Sequence, residues 1–503
     1  MASRHSTKIR CEVQMISRRK FIQAGLILAA LPKQMALASG RLFGNHFQVP
    51  KLELGQRVGK QVSFDLTVQA GHSAILPNQL TPTLGVNQSF LGVTLRANKG
   101  DSVHIKVKNS LDKTTTLHWH GMKLPATADG GPHQSIHPNN TWLSEFDIIQ
   151  DASTLWYHSH QLHETAEQVY HGLAGLFIID DDKAKGLNLP IEYGVDDLPV
   201  IIQDKDFKQN GAFAYITSMR DRMMGKKGQT VLVNGVINPI LKAKKSLLRL
   251  RILNASNAKT YHLSFDDHRP FHIIGSDGGL LEQSQTTHEL RLSPAERVEI
   301  VVDVADGKTP ILRHKPNHNQ AQGGGMMRMM GSMMGDDKQM NLLQIDARQA
   351  VKSNRNIPKN LVKHDNPKPS EVVKERKMIL AMKMGPMMMF GGNPFSINGK
   401  AMDINRIDEV IKAGSTEIWT IENHSMMPHP FHIHDVQFKI IARRGGVKGH
   451  ELGFKDVVYV RPSETVKVVM KFPKFSDAKV PYMYHCHILE HEDRGMMGQF
   501  TVV

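Results

Sequence analysis

Val62-Ser63-Phe64-Asp65-Leu66-Thr67-Val68 alternates apolar and polar residues at period two. Successive side chains of an extended chain point to opposite faces, so this heptapeptide reads as a strand with one face in a core and the other toward water. Ser102-Val103-His104-Ile105-Lys106-Val107 repeats the pattern, and the same texture returns at Leu247 to Leu253, Arg297 to Val302 and Thr465 to Val469. No long stretch carries a sustained helical period. Many short strands separated by turns predict an all-β protein built of sandwich domains.

The composition agrees: 40 Gly and 24 Pro are spread among short apolar runs, and 22% charged residues is ordinary for a folded protein. It excludes a fibrous or disordered chain. At 503 residues the chain exceeds what one hydrophobic core holds, and about 150 residues per domain gives three. They are expected at residues 39–188, 189–350 and 376–503, with 351–375, rich in Lys, Asn and Pro, as a linker.

Ser17-Arg18-Arg19-Lys20-Phe21 precedes an apolar run from Phe21 to Leu31, and Ala36-Leu37-Ala38 offers small residues for cleavage. This is the pattern of a twin-arginine signal, read by the export machinery and directing the chain to the periplasm. A bilayer span needs about 20 apolar residues, so the run predicts no stable membrane anchor. Residues 1–38 are therefore set apart from the fold, and Met15 is an alternative start to Met1. Their seven Lys/Arg and one Glu take the net charge from +15 to +9. The remaining basic residues are scattered and form no reading motif, so nucleic acid is not an expected partner.

Only two cysteines occur, Cys11 in the signal and Cys486, so the mature chain makes no internal disulfide. A lone buried cysteine is ordinarily a small hydrophobe. Cys486 instead stands between His485 and His487, and the His-x-His spacing occurs three more times: His118-Trp119-His120, His158-Ser159-His160 and His432-Ile433-His434. On a strand, residues two apart share a face, so each pair presents two imidazoles together. One such pair is as often a surface or core feature; four of them, grouped in the first and last domains, predict a metal site.

Imidazole alone suits Zn, Cu, Fe or Ni. Cys486 faces away from its histidine neighbours, and His429, His491 and Met496 are expected around it, the last two within ten residues of it in sequence. Two His, one Cys and a weak axial Met make the ligand set of a blue copper electron-transfer site. Eight further histidines are too many for one copper and suit a cluster of three with open positions for O2. His133, His137, His163 and His171 fall outside the paired spacing and are assigned no metal.

His-Trp-His-Gly, Trp-Tyr-His-Ser-His, His-Pro-Phe-His-Ile-His and His-Cys-His followed by His491 and Met496 resemble the four signature motifs of the multicopper oxidases. Among these the chain is most similar to bacterial copper-efflux (cuprous) oxidases and bacterial laccases. The resemblance implies three cupredoxin-like Greek-key β-sandwiches, a monomer, and four copper ions. His429, Cys486, His491 and Met496 would hold the type 1 ion, and His118 and His432 the type 2. His120, His158 and His487 would hold one type 3 ion, and His160, His434 and His485 the other. The cluster would lie between the first and third domains. Asp129 and Glu492 match the carboxylates that serve proton delivery to O2, the alternative being a solvated turn and a surface glutamate.

Thioethers select Cu(I). Met326, Met327, Met329, Met330, Met333 and Met334 form a Gly-flanked cluster, a second runs from Met382 to Met389, and Met427 precedes the His429 motif. These imply Cu(I) as the substrate and copper tolerance as the role. Ser425 departs from the family pattern, since the copper-efflux oxidases carry Asp before the two methionines; Asp336 or Asp337 could supply the charge. Fe(II) or a phenolic reductant therefore remain alternative substrates. A copper store would not need a complete cluster joined to a cysteine, and family members that act in cell division lack the ligands present here.

Overall fold

The computed structural model describes residues 43–315, 338–382 and 394–503. The signal at 1–38, the cluster Met326 to Met334, Asp336, Asp337 and all of the second methionine cluster after Met382 lie outside the described residues. Residues 45–503 form one compact unit.

Strands dominate, and they assemble into six sheets that fall in three pairs along the chain. In the first pair, Thr141–Asp147, Ser102–Asn109, Gln61–Ser73, Thr81–Val86 and Leu91–Gly92 make one sheet, and Leu52–Glu53, Thr94–Asn98, Ala174–Asp180, Ser153–His158 and His118–His120 the other. Val62, Phe64, Leu66 and Val68 are buried, as their period-two spacing predicts, and pack with Leu95, Leu155 and Phe177 of the opposing sheet. The third pair repeats the arrangement. There Val372–Met382, Thr416–Asn423 and Thr465–Lys471 face Met497–Val502, Asp477–Cys486 and His429–Ile433 across a core that includes Trp419, Phe431 and Phe500.

The second pair has its own core, and its strand Leu247–Asn254 is buried along its whole length rather than on one face. Leu248, Leu250 and Ile252 fill that core. On the other face Arg251 donates to Asp197 (2.6 Å) and to Thr154 of the first pair (2.7 Å), so paired charges occupy positions where the alternation suggests water. A further apolar cluster joins Trp156, Tyr170 and Leu176 to Ile201, Phe213 and Leu253 and to Val457, fastening the three sandwiches together.

Two elements cross the expected divisions. Asn45–His46 pairs in parallel with Pro239–Lys242 and so edges a sheet of the second pair. The strand Val372–Met382 begins inside 351–375, and Leu361 of that segment is buried in the second core. Lys, Asn and Pro set the composition of 351–375, but its few apolar side chains still find cover.

Candidate metal centre

The histidine pairs converge because their strands are neighbours. Ser153–His158 pairs with His118–His120, setting His158 opposite His118. Likewise His429–Ile433 pairs with Asp477–Cys486, setting His432 opposite His485 and Phe431 opposite Cys486. Rings from the first and last sandwiches then stack, His118 on His434 with centroids 3.9 Å apart and His120 on His432 at 3.7 Å.

Most of their outer nitrogens have partners, which fixes which nitrogen faces inward. Nδ1 of His118 donates to the Asp129 carbonyl and Nδ1 of His432 to the Asp456 carbonyl, both at 2.8 Å. Nδ1 of His158 donates to the Ser159 carbonyl (2.7 Å) and Nδ1 of His434 to the Asp129 carboxylate (2.8 Å). Glu492 lies 3.1 Å from Nδ1 of His485 and 3.4 Å from Nδ1 of His160. His120 is reversed: its Nε2 is 3.1 Å from Oδ1 of Asp456, leaving Nδ1 to point inward.

The inward nitrogens crowd one another. Nε2 of His485 lies 3.2 Å from Nε2 of both His160 and His434, and Nδ1 of His120 lies 3.3 Å from Nε2 of His158. Nε2 of His118, Nε2 of His432 and both ring nitrogens of His487 are buried with no hydrogen-bond partner among the described residues. Orphaned buried nitrogens are costly, and a metal ion would satisfy them. Burial lowers the imidazole pKa of His120, His158, His432, His434 and His487 well below its usual range, and neighbouring imidazoles add to the effect. Burial likewise brings His160 to about 4. Neutral rings are the form that binds metal.

Cys486 opens onto a different site. Its Sγ is 3.3 Å from Nδ1 of His429 and 3.7 Å from Nδ1 of His491. Again the outer nitrogens are held, His429 Nε2 by Ser425 Oγ at 2.8 Å and His491 Nε2 by the Met223 carbonyl at 3.1 Å. Met496 is fully buried in the same core cluster, and its carbonyl accepts from the Cys486 N–H at 3.0 Å. Burial pushes the Cys486 thiol up and lowers His429 to about 3, so a thiolate there calls for a compensating cation. The donor set therefore fits a soft metal ion.

Both carboxylates singled out in the sequence touch cluster histidines. Burial pushes Glu492 up, but the His485 and His160 imidazoles outweigh it and bring the carboxyl to about 2. Gly130, at φ +76°, follows Asp129 in a turn so tight that a Cβ would lie 2.0 Å from the Leu117 carbonyl. Met427 is buried in the same core cluster as Met223. Four histidines assigned no metal have other partners, His133 with Gln499, His137 with Thr114, His163 with the Asp493 carbonyl and His171 with that of Glu167.

Sequence reasoning missed Asp456 and Arg297. Arg297 donates to both carboxylate oxygens of Asp456 at 2.6 Å, so the second sandwich braces a group that holds His120 of the first and His432 of the third. Gly121, directly after His120, has φ +85°, and a Cβ there would lie 2.5 Å from Oδ2 of Asp456. The one local hint is Lys455-Asp456 standing just before the apolar strand Val457–Val460.

Three stretches match the multicopper oxidase family, residues 67–184, 209–317 and 371–503. A multicopper oxidase of Staphylococcus haemolyticus is 39% identical over 445 residues, 88% of either chain. The cell division protein FtsP of Escherichia coli is 33% identical and covers 97% of this chain and 99% of its own. Among solved structures, the laccase-like CueO of Ochrobactrum sp. has oxidase activity towards lignin model compounds; it superposes with a TM-score of 0.80 at 32% identity, covering 91% of this chain and 100% of that one. A metallo-oxidase of Campylobacter jejuni superposes with a TM-score of 0.80 at 30% identity, covering 94% and 98%. The three sandwiches are thus cupredoxin-like, and this chain belongs to the multicopper oxidase family, oxidoreductases that work with copper.

Proposed function

We propose that the protein is a periplasmic cuprous oxidase, taking single electrons from Cu(I) at a type 1 site and using four of them to reduce O2 to water at a three-copper cluster. The observation that carries this reading is the tripeptide His485-Cys486-His487. Its central Sγ lies 3.3 Å from His429 Nδ1, while Nε2 of His485 is 3.2 Å from two cluster histidines. A few covalent bonds therefore join the two sites.

His429, Cys486, His491 and Met496 would hold the type 1 ion, and His118 and His432 the type 2. The type 3 ions would fall to His120, His158 and His487 and to His160, His434 and His485. Ligand atoms of His160, His434 and His485 lie within 4.8 Å of one another, as do those of His429, Cys486 and His491, which supports those two sets; His118 also groups with His120 and His158 and with His432 and His434, as befits ions that share one cluster. Bound copper supplies one-electron transfer at the cysteine and O2 chemistry at the histidine cluster. Asp129 bonds the outer Nδ1 of His434 and Glu492 lies 3.1 Å from that of His485, positions from which both would deliver protons for water formation.

Buried Met427 and the clusters Met326 to Met334 and Met382 to Met389 supply soft donors for Cu(I). The twin-arginine motif supports export. Ser425 favours a second reading, a laccase-like phenol oxidase, because the hydroxyl bonded to His429 brings no charge to attract a cuprous ion. A ferroxidase is open to the same objection. The FtsP relatives carry a cell-division role in name, and the complete ligand set of this chain favours the oxidase reading.

Oxygen uptake by copper-loaded protein given Cu(I), Fe(II) and a phenol separately tests the proposal. Cu(I) is expected to be the most efficient, and removal of residues 326–334 to lower its efficiency alone. A phenol or Fe(II) ahead of Cu(I), with the deletion neutral, would replace the cuprous reading.

A further inference from the structure

The turn Asp277-Gly278, between strands Phe271–Ser276 and Gly279–Thr287 of the second sandwich, reaches into the third just ahead of its strand Val457–Val460. The Ser276 hydroxyl and the Gly278 N–H both donate to the Phe454 carbonyl at 2.8 Å, and a Cβ on Gly278 would lie 2.5 Å from that of Phe454. Only glycine permits so close an approach. The Asp277 side chain is fully buried there. Its Oδ1 accepts from the Arg297 N–H at 2.8 Å. Its Oδ2 lies 2.8 Å from Lys455 Nζ and accepts from the N–H groups of Asp456 at 3.4 Å and Val457 at 3.3 Å.

The Val457 N–H and the Asp456 carbonyl are the two ends of one peptide unit. The N–H end meets the Asp277 carboxylate, and the carbonyl end accepts from Nδ1 of His432 at 2.8 Å. A carboxylate on the donor side polarises the amide and makes its carbonyl a stronger acceptor, and bonds linked in this way strengthen one another by roughly 10–30% each. The stronger the pull on Nδ1–H, the more basic is Nε2 as a metal ligand. Nε2 of His432 is one of the buried nitrogens without a hydrogen-bond partner among the described residues. His118 makes the contrast: its Nδ1 donates to the Asp129 carbonyl, which is shared with the Trp119 N–H at 3.3 Å.

We propose that Asp277 is a positioning residue for the histidine cluster, acting through the Asp456–Val457 peptide to fix the His432 ring and raise its donor strength. A residue on the sandwich that carries no cluster histidine thereby tunes one histidine of the third. Its route differs from that of the Asp456 carboxylate, which meets the ring of His120 directly. The relay from carboxylate to peptide to imidazole needs no metal; its effect on one particular ion rests on the copper reading above, in which His432 is a type 2 ligand.

Proton NMR of the copper-loaded, fully reduced protein, labelled with nitrogen-15 histidine, reads the relay, because Cu(I) is diamagnetic. The Nδ1–H proton of His432, identified by its loss in His432→Gln, should move upfield in Asp277→Asn, which keeps an acceptor for the N–H groups but drops the charge. It should move downfield in Lys455→Gln, which frees Oδ2 of Asp277 from a competing cation. The His118 proton should hold in both. Asp277→Asn should also bind one copper per chain roughly tenfold more weakly on dialysis, with loss of the type 2 paramagnetic signal after reoxidation and no change in visible absorption. If Asp277→Asn does not fold, the downfield shift in Lys455→Gln decides alone. An unmoved His432 proton in either folded variant, an equal shift at His118, or unchanged copper retention in folded Asp277→Asn overturns the proposal. A shifted His432 proton with loss of an ion other than the type 2 leaves the relay standing and sinks the assignment of His432 to that ion.

Discussion

Oδ1 of Asp456 lies 3.1 Å from Nε2 of His120, which makes His120 the cluster histidine that must offer Nδ1 where its neighbours offer Nε2. The same carboxylate is clamped by Arg297, so one ion pair from the second and third sandwiches sets the tautomer of a histidine on the first.

Asp456→Ala strips the fully buried Arg297 of its closest carboxylate and leaves only Asp277 at 3.8 Å, which should cost up to about 3–5 kcal/mol. It also frees the His120 ring, and loss of such an outer partner lowers metal affinity roughly 10–100-fold. Thermal unfolding and copper content after dialysis measure the two effects. Asp456→Asn, which still accepts from His120, should lose less copper; equal loss in both variants would mean that the ion pair acts on stability alone.

Cys486→Ser removes the one soft anionic donor between His429 and His491. The copper-loaded variant should lack the intense visible absorption of a copper–thiolate bond and should consume no O2 with any reductant. A blue Cys486→Ser protein would place the type 1 site elsewhere.

Glu492→Gln keeps a side chain of the same size against His160 and His485 but cannot carry a proton as a carboxylate does. O2 reduction should slow by roughly 10²-fold or more while the visible absorption is unchanged. Unaltered turnover would remove Glu492 from proton delivery.

Glu299 gives the fold a defined acid dependence. Burial pushes its carboxyl up, but Arg249 and Arg251 more than offset this and bring it to about 2 from an ordinary 4.5. A folded-state pKa below the unfolded one gives stability that is fully present above about pH 4.5 and is lost as pH falls through about 2. The contribution is on the order of 3 kcal/mol. Glu299→Gln should unfold at lower temperature at pH 7 and show a flatter decline between pH 4.5 and 2; a decline parallel to that of the unaltered protein would assign it to other carboxylates.

The sandwich class was legible because alternation such as Val62 to Val68 is a local property, written into consecutive residues. His-x-His spacing was legible for the same reason, since a strand turns it directly into two imidazoles on one face. Asp456 and Arg297 were not, because their meaning depends on pairing across sheets; Ser425 stood out in sequence only as a departure from the family pattern, and its bond to His429 Nε2 is a finding of the fold. Arg297 stands 159 residues from Asp456, and in sequence it sits in an alternating strand where an arginine suggests solvent. Leu247–Asn254 misleads in the same way, its arginines buried against Asp197 and Glu299 rather than facing water.

Stopped-flow or electrode measurement of O2 consumed per Cu(I) oxidised, on copper-loaded protein with peroxide assayed in parallel, tests the central claim most directly. One O2 per four Cu(I) with no peroxide is the result expected on the proposed function, in which the His485-Cys486-His487 link would deliver four electrons to a single cluster. One O2 per two Cu(I) with peroxide released, or no uptake above that of the Cys486→Ser protein, would contradict it.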